Sequence, residues 1–471
     1  MPSLSKQHKY FFCGIGGSGM LPLAIILQGQ GYEIYGSDRS YDQGRTPEKF
    51  DYIKSQGIKL SAQDGSGLKN DMILVVSSAI ENSIPEVKVA LEKNILILKR
   101  AELLAQFFNR AKQRIAIAGT SGKSTTTGML GYILHEMEKN PTVMNGAVFR
   151  NFASDDNPYA TALSGDKDVF VIEADESDGS IELYNPTISV LNNISLDHKS
   201  VEELRMLFGN FIGKAQHAIL NIDNEEVRKL WESHVEEAVT YSLSDKTATL
   251  WAGDIKTRKD GLDCRINDKF DLSLNVPGRH NLSNALAAIC AATALGIDTA
   301  KACSILSGFK GVKRRMEIVG SKNGITIIDD FAHNPDKIEA SLQTLKEFPG
   351  RLLIIFQMHG YGPLKLMRRE LIESFRKYLG PEDGVFMPEV LYLGGTADRS
   401  YTAQIFVEDL NANGVNANWF SSRDEIIPAL AEIAESGDRI VVMGARDDTL
   451  PEFARETLKT LSRREKELAV P

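Results

Sequence analysis

The sequence predicts an α/β protein built from three domains, and two observations lead to that prediction. Short apolar runs alternate with helix-like stretches in three blocks of the chain, as expected where βαβ units form largely parallel sheets. With 471 residues the chain also exceeds what one hydrophobic core organises, since a domain takes ~100 to 200 residues. The predicted boundaries are 1–110, 111–312 and 313–471.

Composition narrows the class of protein. The chain is 42% apolar and 25% charged, as in an ordinary soluble protein, and its net charge of -9 argues against nucleic-acid or anionic-membrane partners. No run approaches the ~18 apolar residues of a membrane span, so neither export nor insertion is expected. The four cysteines have neither disulfide nor zinc spacing, which predicts reduced, buried thiols in a cytoplasmic protein.

The first block begins with a glycine turn. Strands are predicted at Tyr10–Cys13, Glu33–Tyr35 and Met72–Val76, with a helix at Met20–Gln28. The turn after the first strand, at 14–19, has the pattern G-x-G-x-x-G, and Asp38 follows where a ribose-binding carboxylate is expected, so a nucleotide site is predicted. The alternative is a tight turn without a ligand, with Asp38 as a helix cap.

The second block opens with a phosphate-binding pattern. Residues 119–125 read GTSGKST between an apolar strand, Ile115–Ala118, and a helix-like stretch, Thr126–Met137. Backbone N–H groups at a helix N-terminus form an anion cradle, so this loop is predicted to hold the polyphosphate of ATP or GTP. Lys123 would reach the outer phosphates, and the Ser124 hydroxyl would bind Mg²⁺.

Two further strands of this block end in polar residues. Glu173 follows Val169–Ile172, and His198 lies beyond Ile188–Leu191. Because carboxyl ends of strands converge on the ligand crevice, both side chains are expected to meet the metal. The acidic residues that follow, Asp175 to Asp178, have a solvated acidic loop as their alternative, and His198 has a hydrogen-bonded structural histidine.

The rest of the sequence predicts a small antiparallel β segment, here called the antiparallel excursion, and a third α/β block. The excursion spans 247–275 and precedes an Ala-rich helix. Helices are predicted at Asn284–Leu295, Ile338–Phe348, Leu364–Tyr378 and Pro451–Leu468, and strands at Ile325–Asp329, Leu352–Phe356 and Ile440–Met443. The predicted domains are therefore a Rossmann-like N-terminal domain, a central P-loop ATPase domain and a Rossmann-like C-terminal domain.

In their order along the chain, these motifs resemble the Mur ligase family, the ATP-dependent amide-forming enzymes that build the peptide of bacterial cell-wall precursors. The resemblance covers nearly the whole chain, and it assigns UDP-sugar rather than NAD to the glycine turn. UDP-sugar contacts are implied for Gly14, Gly16, Gly17, Ser18, Gly19, Met20, Ser37, Asp38, Ser77 and Ser78. ATP contacts are implied for Gly119, Thr120, Ser121, Gly122, Lys123, Ser124, Thr125, His280, Asn281, Asn284, Arg315 and Asp330. Catalytic roles are implied for Lys123, Glu173 and His198, and Mg²⁺ contacts for Ser124, Glu173 and His198.

The resemblance implies a specific reaction. L-alanine would be joined to the lactyl carboxylate of UDP-N-acetylmuramate, through an acyl phosphate made with ATP, in peptidoglycan precursor synthesis. Forming an amide from a carboxylate in water needs such activation, and phosphoryl transfer is governed by positioning and charge neutralisation. The partners implied are small molecules only, and the protein would be a monomer or a homodimer.

One segment departs from the branch of the family that uses L-alanine. Where that branch usually has Gln-Pro-His-Arg-Tyr-Ser-Arg, residues 357–365 read QMHGYGPLK, so two arginines near the incoming amine are absent. Lys365, Arg368 or Arg369 could return the charge. Two alternatives stay open: ligation of a tripeptide to UDP-N-acetylmuramate in cell-wall recycling, and a nucleotide-binding regulator without ligation. A nicotinamide-dependent oxidoreductase would leave residues 119–125 without a role.

Overall fold

The structure, a computed structural model, forms three sheets of five, ten and six strands. It describes residues 8–77, 80–166, 168–177, 179–195, 200–234, 237–392, 398–445, 447 and 449–468. The chain divides into two compact units, Met1–Asn275 with His280–Val312 and Val276–Arg279 with Lys313–Pro471. The α/β class with three sheets is as predicted.

The five strands of the N-terminal sheet are all parallel and lie in the order β3-β2-β1-β4-β5. The strands are β1 (Lys9–Cys13), β2 (Glu33–Ser37), β3 (Lys59–Ser61), β4 (Met72–Val76) and β5 (Ile97–Lys99), and the helices are α1 (Met20–Gly29), α2 (Arg39–Asp42), α3 (Pro47–Ser55), α4 (Pro85–Glu92) and α5 (Arg100–Phe108). Chain order reverses beside β1, so the carboxyl end of β1 opens onto the ligand crevice of such a sheet. The glycine turn follows β1 directly.

The central sheet has the order β15-β14-β13-β12-β11-β10-β6-β9-β7-β8. Its strands are β6 (Gln113–Ala118), β7 (Thr142–Met144), β8 (Ala162–Leu163), β9 (Val169–Glu173), β10 (Ile188–Leu191), β11 (His217–Asn221), β12 (Val239–Ser242), β13 (Leu250–Arg258), β14 (Gly261–Ile266) and β15 (Phe270–Leu274). Its helices are α6 (Lys123–Glu136), α7 (Val201–Ile212), α8 (Glu225–His234), α9 (Arg279–Ala294) and α10 (Thr299–Leu306). Strands β9, β6 and β10 are parallel neighbours, so the loops after them meet at one edge. The predicted antiparallel excursion is confirmed by β13 to β15.

The N-terminal and central sheets share one hydrophobic core. Phe108 at the end of α5 contacts Phe170 and Tyr184, with ring centroids 5.8 Å and 5.6 Å away. Hydrogen bonds add to this packing: the Tyr52 hydroxyl donates to Asn157 at 2.6 Å, and the Ser164 hydroxyl donates to the Ile26 carbonyl at 3.1 Å. The first two sheets therefore form a single packed body.

The C-terminal sheet has the order β16-β17-β21-β18-β19-β20, with β16 as an antiparallel edge. Its strands are β16 (Glu317–Lys322), β17 (Ile325–Asp330), β18 (Leu352–Gln357), β19 (Gly384–Pro388), β20 (Ala417–Phe420) and β21 (Arg439–Gly444), and its helices are α11 (Pro335–Lys346), α12 (Tyr361–Leu366), α13 (Arg368–Tyr378), α14 (Ala403–Ala412), α15 (Ile426–Ile433) and α16 (Leu450–Leu468).

The prediction of a single helix at Leu364–Tyr378 is wrong. Two helices occupy this stretch because Met367, at φ -96° and ψ 9°, leaves the α-helical region between them.

Two composition-based expectations can be compared with the structure. Cys13, Cys264, Cys290 and Cys303 are all buried free thiols, as predicted. Within the described part of the chain, none of the helices has both the length and the apolar character that crossing a membrane requires.

Candidate functional site

The loop at 119–125 depends on two glycines in the left-handed region. Gly119 has φ 131° and Gly122 has φ 81°, which other residues rarely adopt. A Cβ at Gly122 would overlap Asn284 Oδ1 and lie 2.9 Å from Asn192 Nδ2. Helix α6 begins directly after Gly122, three residues earlier than predicted, so Lys123 and Ser124 lie in its first turn. The backbone is thus shaped as an anion cradle.

Two asparagines after β10 hold this loop. Asn193 Oδ1 accepts hydrogen bonds from Ser121 N and from Thr120 Oγ1, each at 2.8 Å. Asn192 is buried and donates to Thr126 Oγ1 at 3.0 Å. The sequence pattern did not single out either asparagine as a site residue, although both follow a strand adjacent to β6. Because partners are already in place, the loop is preorganised for its ligand.

The ammonium group of Lys123 is surrounded by carboxylates. Its ammonium donates to the Gly119 carbonyl at 2.6 Å and forms an ion pair with Glu176 at 2.8 Å, in which the side chains are 14% and 4% exposed. Burial by itself would lower the pKa of Lys123, but the carboxylates of Glu176, Asp175 and Glu173 raise the pKa above its ordinary value. Lys123 is therefore fully charged at neutral pH.

The predicted metal ligands Ser124 and Glu173 lie side by side. The Ser124 hydroxyl donates to Glu173 Oε2 at 3.0 Å, and the Gly146 backbone N–H donates to Glu173 Oε1. A hydroxyl and a carboxylate so close together are the hard oxygen donors that Mg²⁺ prefers, so these residues fit that ion. The other predicted ligand, His198, lies outside the described residues, as does Ser78 of the UDP-sugar set.

Residues of helix α9 reach the same loop. Asn284 Oδ1 accepts from Thr126 Oγ1 at 3.3 Å, and Asn284 Nδ2 donates to Asn281 Oδ1 at 3.3 Å. Burial lowers the pKa of His280 to about 4, so its imidazole is neutral at physiological pH. The structure thus brings Asn284, one of the predicted ATP contacts, to the phosphate loop itself.

A cavity of about 320 Å³ lies over the N-terminal glycine turn. Its lining includes six of the predicted UDP-sugar residues, and the complete lining is Cys13, Gly14, Gly17, Ser18, Gly19, Met20, Gln63, Ser77, Ile80 and Arg100. The volume suits part of a nucleotide-sized ligand. The predicted UDP-sugar contacts include neither Arg100, which lies in a segment that resembles the UDP-sugar-binding domain, nor Gln63.

Two other predicted UDP-sugar residues, Ser37 and Asp38, accept hydrogen bonds from the backbone of the glycine turn. The Ser37 carbonyl accepts from Gly14 N at 2.8 Å, and Asp38 accepts from Gly16 N at 2.9 Å and from Ser40 N at 2.8 Å. Asp38 thereby caps helix α2, as the alternative interpretation of this residue expected. Its role towards a ribose stays a prediction.

A buried carboxylate extends this support. Glu86 is fully buried and accepts from the Ser37 hydroxyl at 2.8 Å and from the Cys13 thiol at 3.9 Å. Burial, together with the charge of Glu86, raises the pKa of Cys13 to about 11, so the thiol is protonated. Glu86 therefore ties α4 to the ends of β1 and β2, where the turn begins.

In the second unit, Arg315 and Asp330 are held by neighbouring groups. The Arg315 guanidinium lies 4.3 Å from the ring centroid of Phe331. Asp330 is buried and accepts from Met316 N at 3.3 Å and from the Ser341 hydroxyl, and burial raises its pKa. The structure supplies both groups with protein partners, and their contacts with ATP stay predictions.

Two of the three cations proposed to replace the absent arginines are paired with acids. Lys365 lies 2.8 Å from Asp398, and Arg368 lies 3.4 Å from Asp409 and 5.0 Å from the ring centroid of Tyr401. Both are also substantially exposed to solvent, so their charge is partly screened. The third, Arg369, is exposed.

Comparison with known proteins gives consistent matches along the chain. Models described as "Mur ligase family, catalytic domain", "Mur ligase middle domain" and "Mur ligase, glutamate ligase domain" match residues 9–112, 117–292 and 314–446. A UDP-N-acetylmuramate–L-alanine ligase of Caldicellulosiruptor bescii is 33% identical over 455 residues, which cover 94% of this chain and 96% of the relative.

Solved structures agree with this match. A UDP-N-acetylmuramate-alanine ligase from Thermotoga maritima superposes with a TM-score of 0.77 at 25% identity, covering 98% of this chain and 99% of that one. A murein peptide ligase from Psychrobacter arcticus 273-4 gives 0.69 at 24% identity, covering 97% and 99% of the two chains. The second likeness is one of fold alone.

Proposed function

Because this chain belongs to the Mur ligase family, we propose that it is an ATP-dependent ligase that joins L-alanine to the lactyl carboxylate of UDP-N-acetylmuramate in peptidoglycan precursor synthesis. The geometric observation that carries this proposal is the phosphate loop, with Lys123 charged beside it and Ser124 3.0 Å from Glu173. The relative from C. bescii, which this chain matches along 94% of its length, supports the choice of substrates.

The reaction has two steps. The carboxylate oxygen of UDP-N-acetylmuramate attacks the terminal phosphorus of ATP, and ADP leaves as the acyl phosphate forms. The amine of L-alanine then attacks the acyl carbon, inorganic phosphate leaves, and the nitrogen loses a proton. Lys123 and the backbone N–H groups of the loop stabilise the charge that develops on the phosphoryl oxygens. Mg²⁺, held by Ser124 and Glu173, would neutralise further charge on those oxygens when it is bound, and His198 stays a predicted ligand.

The N-terminal cavity is the proposed site of UDP-N-acetylmuramate. Its glycine turn at the end of a parallel strand is suited to a pyrophosphate, and the shared core fixes it relative to the phosphate loop. We further propose that the enzyme acts in the cytoplasm on small molecules, without nucleic-acid or membrane partners, as a monomer or a homodimer. This proposal agrees with the net charge of -9.

A second candidate substrate is favoured by one observation. Gly360 has φ 126°, and a Cβ added at Gly362 would meet open space, so the segment that lacks two arginines also leaves room beside it. Added space with less positive charge suits a larger amine component, such as a tripeptide.

Release of inorganic phosphate from ATP tests both candidates. Assays with UDP-N-acetylmuramate should give release that depends on L-alanine, and glycine, L-serine and a tripeptide serve as competing amines. Lys123→Ala is the control for the site, because losing one preorganised charge should slow turnover by over ~100-fold. If the tripeptide gives a kcat/KM at least ~10-fold above that of L-alanine, the recycling reaction replaces the one proposed. If no amine stimulates release, the ligase assignment is wrong.

A further inference from the structure

Tyr241 is a buried polar residue that takes no part in the reaction described above. It lies in β12 and is 1% exposed. Burying a hydroxyl is costly unless the group is hydrogen-bonded, and the Tyr241 hydroxyl donates to Asn192 Oδ1 at 3.1 Å. Burial raises the pKa of Tyr241 well above its ordinary value, so the hydroxyl keeps its proton and remains a donor.

The hydrogen bond from Tyr241 is the first of a directed series that joins β12 to two helices. Asn192, just after β10, donates through Nδ2 to Thr126 Oγ1 in α6 at 3.0 Å. Thr126 Oγ1 donates to Asn284 Oδ1 in α9 at 3.3 Å, and Asn284 Nδ2 donates to Asn281 Oδ1 at 3.3 Å. Each side chain therefore donates to the next, and the series ends on two residues predicted to contact ATP.

The order of donors depends on how the Asn192 amide is turned, because an amide has an acceptor at one end and a donor at the other. Since the Tyr241 proton is directed at Oδ1, the Nδ2 end faces Thr126. The Thr126 proton is then left to reach Asn284. A half-turn of the amide would present Oδ1 to Thr126 and draw that proton away from Asn284. The Tyr241 hydroxyl therefore favours the orientation that keeps the series intact.

Two members of the series lie against the turn of the phosphate loop. A Cβ added to Gly122 would lie 2.9 Å from Asn192 Nδ2, and it would overlap Asn284 Oδ1. The two amides thus enclose the left-handed turn that precedes α6. A small shift of either amide would change the position of the backbone N–H groups that are expected to bind phosphate.

We propose that Tyr241 is a positioning residue for ATP, whose hydroxyl acts through Asn192 and Thr126 to hold the phosphate loop in its ligand-binding geometry. The proposal rests on the function proposed above. The backbone of Asn192 is fixed separately, because Asn221 Nδ2 donates to its carbonyl at 2.8 Å. Loss of the Tyr241 hydroxyl should therefore release the amide without displacing the chain that carries it.

Calorimetric titration of the full chain with ATP and Mg²⁺, in the absence of UDP-sugar and amine, tests this role. Tyr241→Phe removes the hydroxyl and keeps the ring. Tyr10→Phe is the matched control, because Tyr10 is a fully buried tyrosine of the same compact unit whose hydroxyl has no hydrogen-bond partner among the described residues. Titration with UDP and thermal unfolding check that the fold is kept.

Tyr241→Phe should weaken ATP binding by about five- to tenfold, as expected when one buried hydrogen bond is lost. Tyr10→Phe should bind ATP like wild type, and both variants should bind UDP like wild type. In turnover, Tyr241→Phe should raise the KM for ATP by a similar factor, while the KM for UDP-N-acetylmuramate stays within about twofold.

Variants of Thr126 test the route by which the hydroxyl acts. Thr126→Val removes the hydroxyl that lies between the two amides and keeps the shape of the side chain, so it should also weaken ATP binding. Thr126→Ser keeps the hydroxyl and should bind ATP within about twofold of wild type. Because both hydroxyls belong to one series, Tyr241→Phe combined with Thr126→Val should lose little more affinity than Thr126→Val alone.

Several results would overturn the proposal while leaving the ligase function standing. Unchanged ATP affinity in Tyr241→Phe would exclude the role, and so would an equal loss in the Tyr10 control. Losses that multiply in the double variant would show that the hydroxyl acts independently of Thr126. An equal loss of UDP binding would indicate a general loosening of the fold, which is a structural role only. If wild type bound no ATP, the proposed function itself would fail, and the role of Tyr241 with it.

Discussion

The Glu173 carboxylate accepts two hydrogen bonds at once, and these bonds fix its orientation. Its oxygens accept from the Ser124 hydroxyl and from the Gly146 backbone N–H, which fixes the carboxylate at the end of β9 beside the phosphate loop. A carboxylate oriented in this way can exchange a hydroxyl partner for a divalent cation without moving.

Glu173→Gln should raise the Mg²⁺ concentration for half-maximal activity by about tenfold or more, because an amide keeps the shape but loses the charge. Binding of UDP-N-acetylmuramate should change little. The measurement is a Mg²⁺ titration of phosphate release. Asp168→Asn is the control, since Asp168 is an exposed carboxylate just before β9 that pairs with Lys112 at 2.8 Å. An unchanged Mg²⁺ requirement would point to Asp175 or Glu176 instead.

Asp329 should make the stability of the second unit depend on pH. Burial raises its pKa to about 6 from 3.8, against the opposing charge of Arg314, while Glu317 and Asp330 add to the rise. Below the unfolded pKa both states are protonated. As the pH rises from about 4 to about 6, the unfolded state ionises while the folded state keeps its proton, so ~3 kcal/mol of unfolding free energy is lost by the time the buried acid ionises.

Asp329→Asn should therefore flatten the fall in unfolding free energy between about pH 4 and pH 7. Urea titrations across this range measure it. Arg314 keeps acceptors in the variant, because it also donates to the carbonyls of Gly444 at 2.8 Å and Asp447 at 3.2 Å. Asp271→Asn, at an exposed position, should leave the slope as in wild type. Identical slopes in all three proteins would contradict the prediction.

Local sequence pattern predicted some residues of the candidate site and could not indicate others. The glycines at 119 and 122, with Lys123 and Ser124, follow a contiguous pattern whose backbone demands are local. Asn193, Glu86 and Glu176 act through partners 49 to 73 residues away in the chain, so only the fold shows their roles. Asp38 is an intermediate case, because the same acidic residue serves either as a ribose ligand or as a helix cap.

Among the strands and helices, length decided which ones could be predicted from the sequence. Strands of five or six residues in continuous apolar runs, such as β4 and β18, were predicted to within one residue. Strands β3 and β5 have three residues each and carry too little periodicity to separate them from loop. The break at Met367 depends on a single backbone conformation, which the helical pattern around it conceals.

The turn that starts α6 offers a test of its own. Gly122→Ala combines a left-handed φ with overlap of Asn284, whereas Gly31→Ala has a left-handed φ of 88° and open space for a Cβ. Gly31→Ala should cost ~1 kcal/mol of stability, and Gly122→Ala a further ~1 to 3 kcal/mol with loss of ATP binding. Denaturant unfolding and ATP calorimetry measure the two effects. Equal costs for both variants would show that Asn284 does not constrain the loop.

For the molecule as a whole, the first two sheets fold on one core while the third forms a separate compact unit. The predicted boundary near residue 110 therefore crosses a packed interior, even though it separates two differently organised sheets. Sequence alone could not show that the core is shared, because the apolar residues of α5 would look the same if they were buried within the N-terminal domain only.

A fragment of residues 1–110 should fail to fold stably, because Phe108 would lose its contacts with Phe170 and Tyr184. A fragment of residues 1–312 should keep the core and the cavity. Near-ultraviolet circular dichroism and UDP binding of the two purified fragments test this expectation. Cooperative unfolding of the shorter fragment, with UDP binding like that of the longer one, would contradict it.

The shared core also governs how this enzyme could be recombined with its relatives. A chimaera that exchanges only the first sheet would place a foreign α5 against β9 and the Tyr184 loop, where side chains were selected to fit each other. A crossover beside Val312 and Lys313 leaves that interior intact and exchanges the segment at 357–365 as a block. Libraries that cross over there should yield far more folded ligases than libraries that cross over near residue 110.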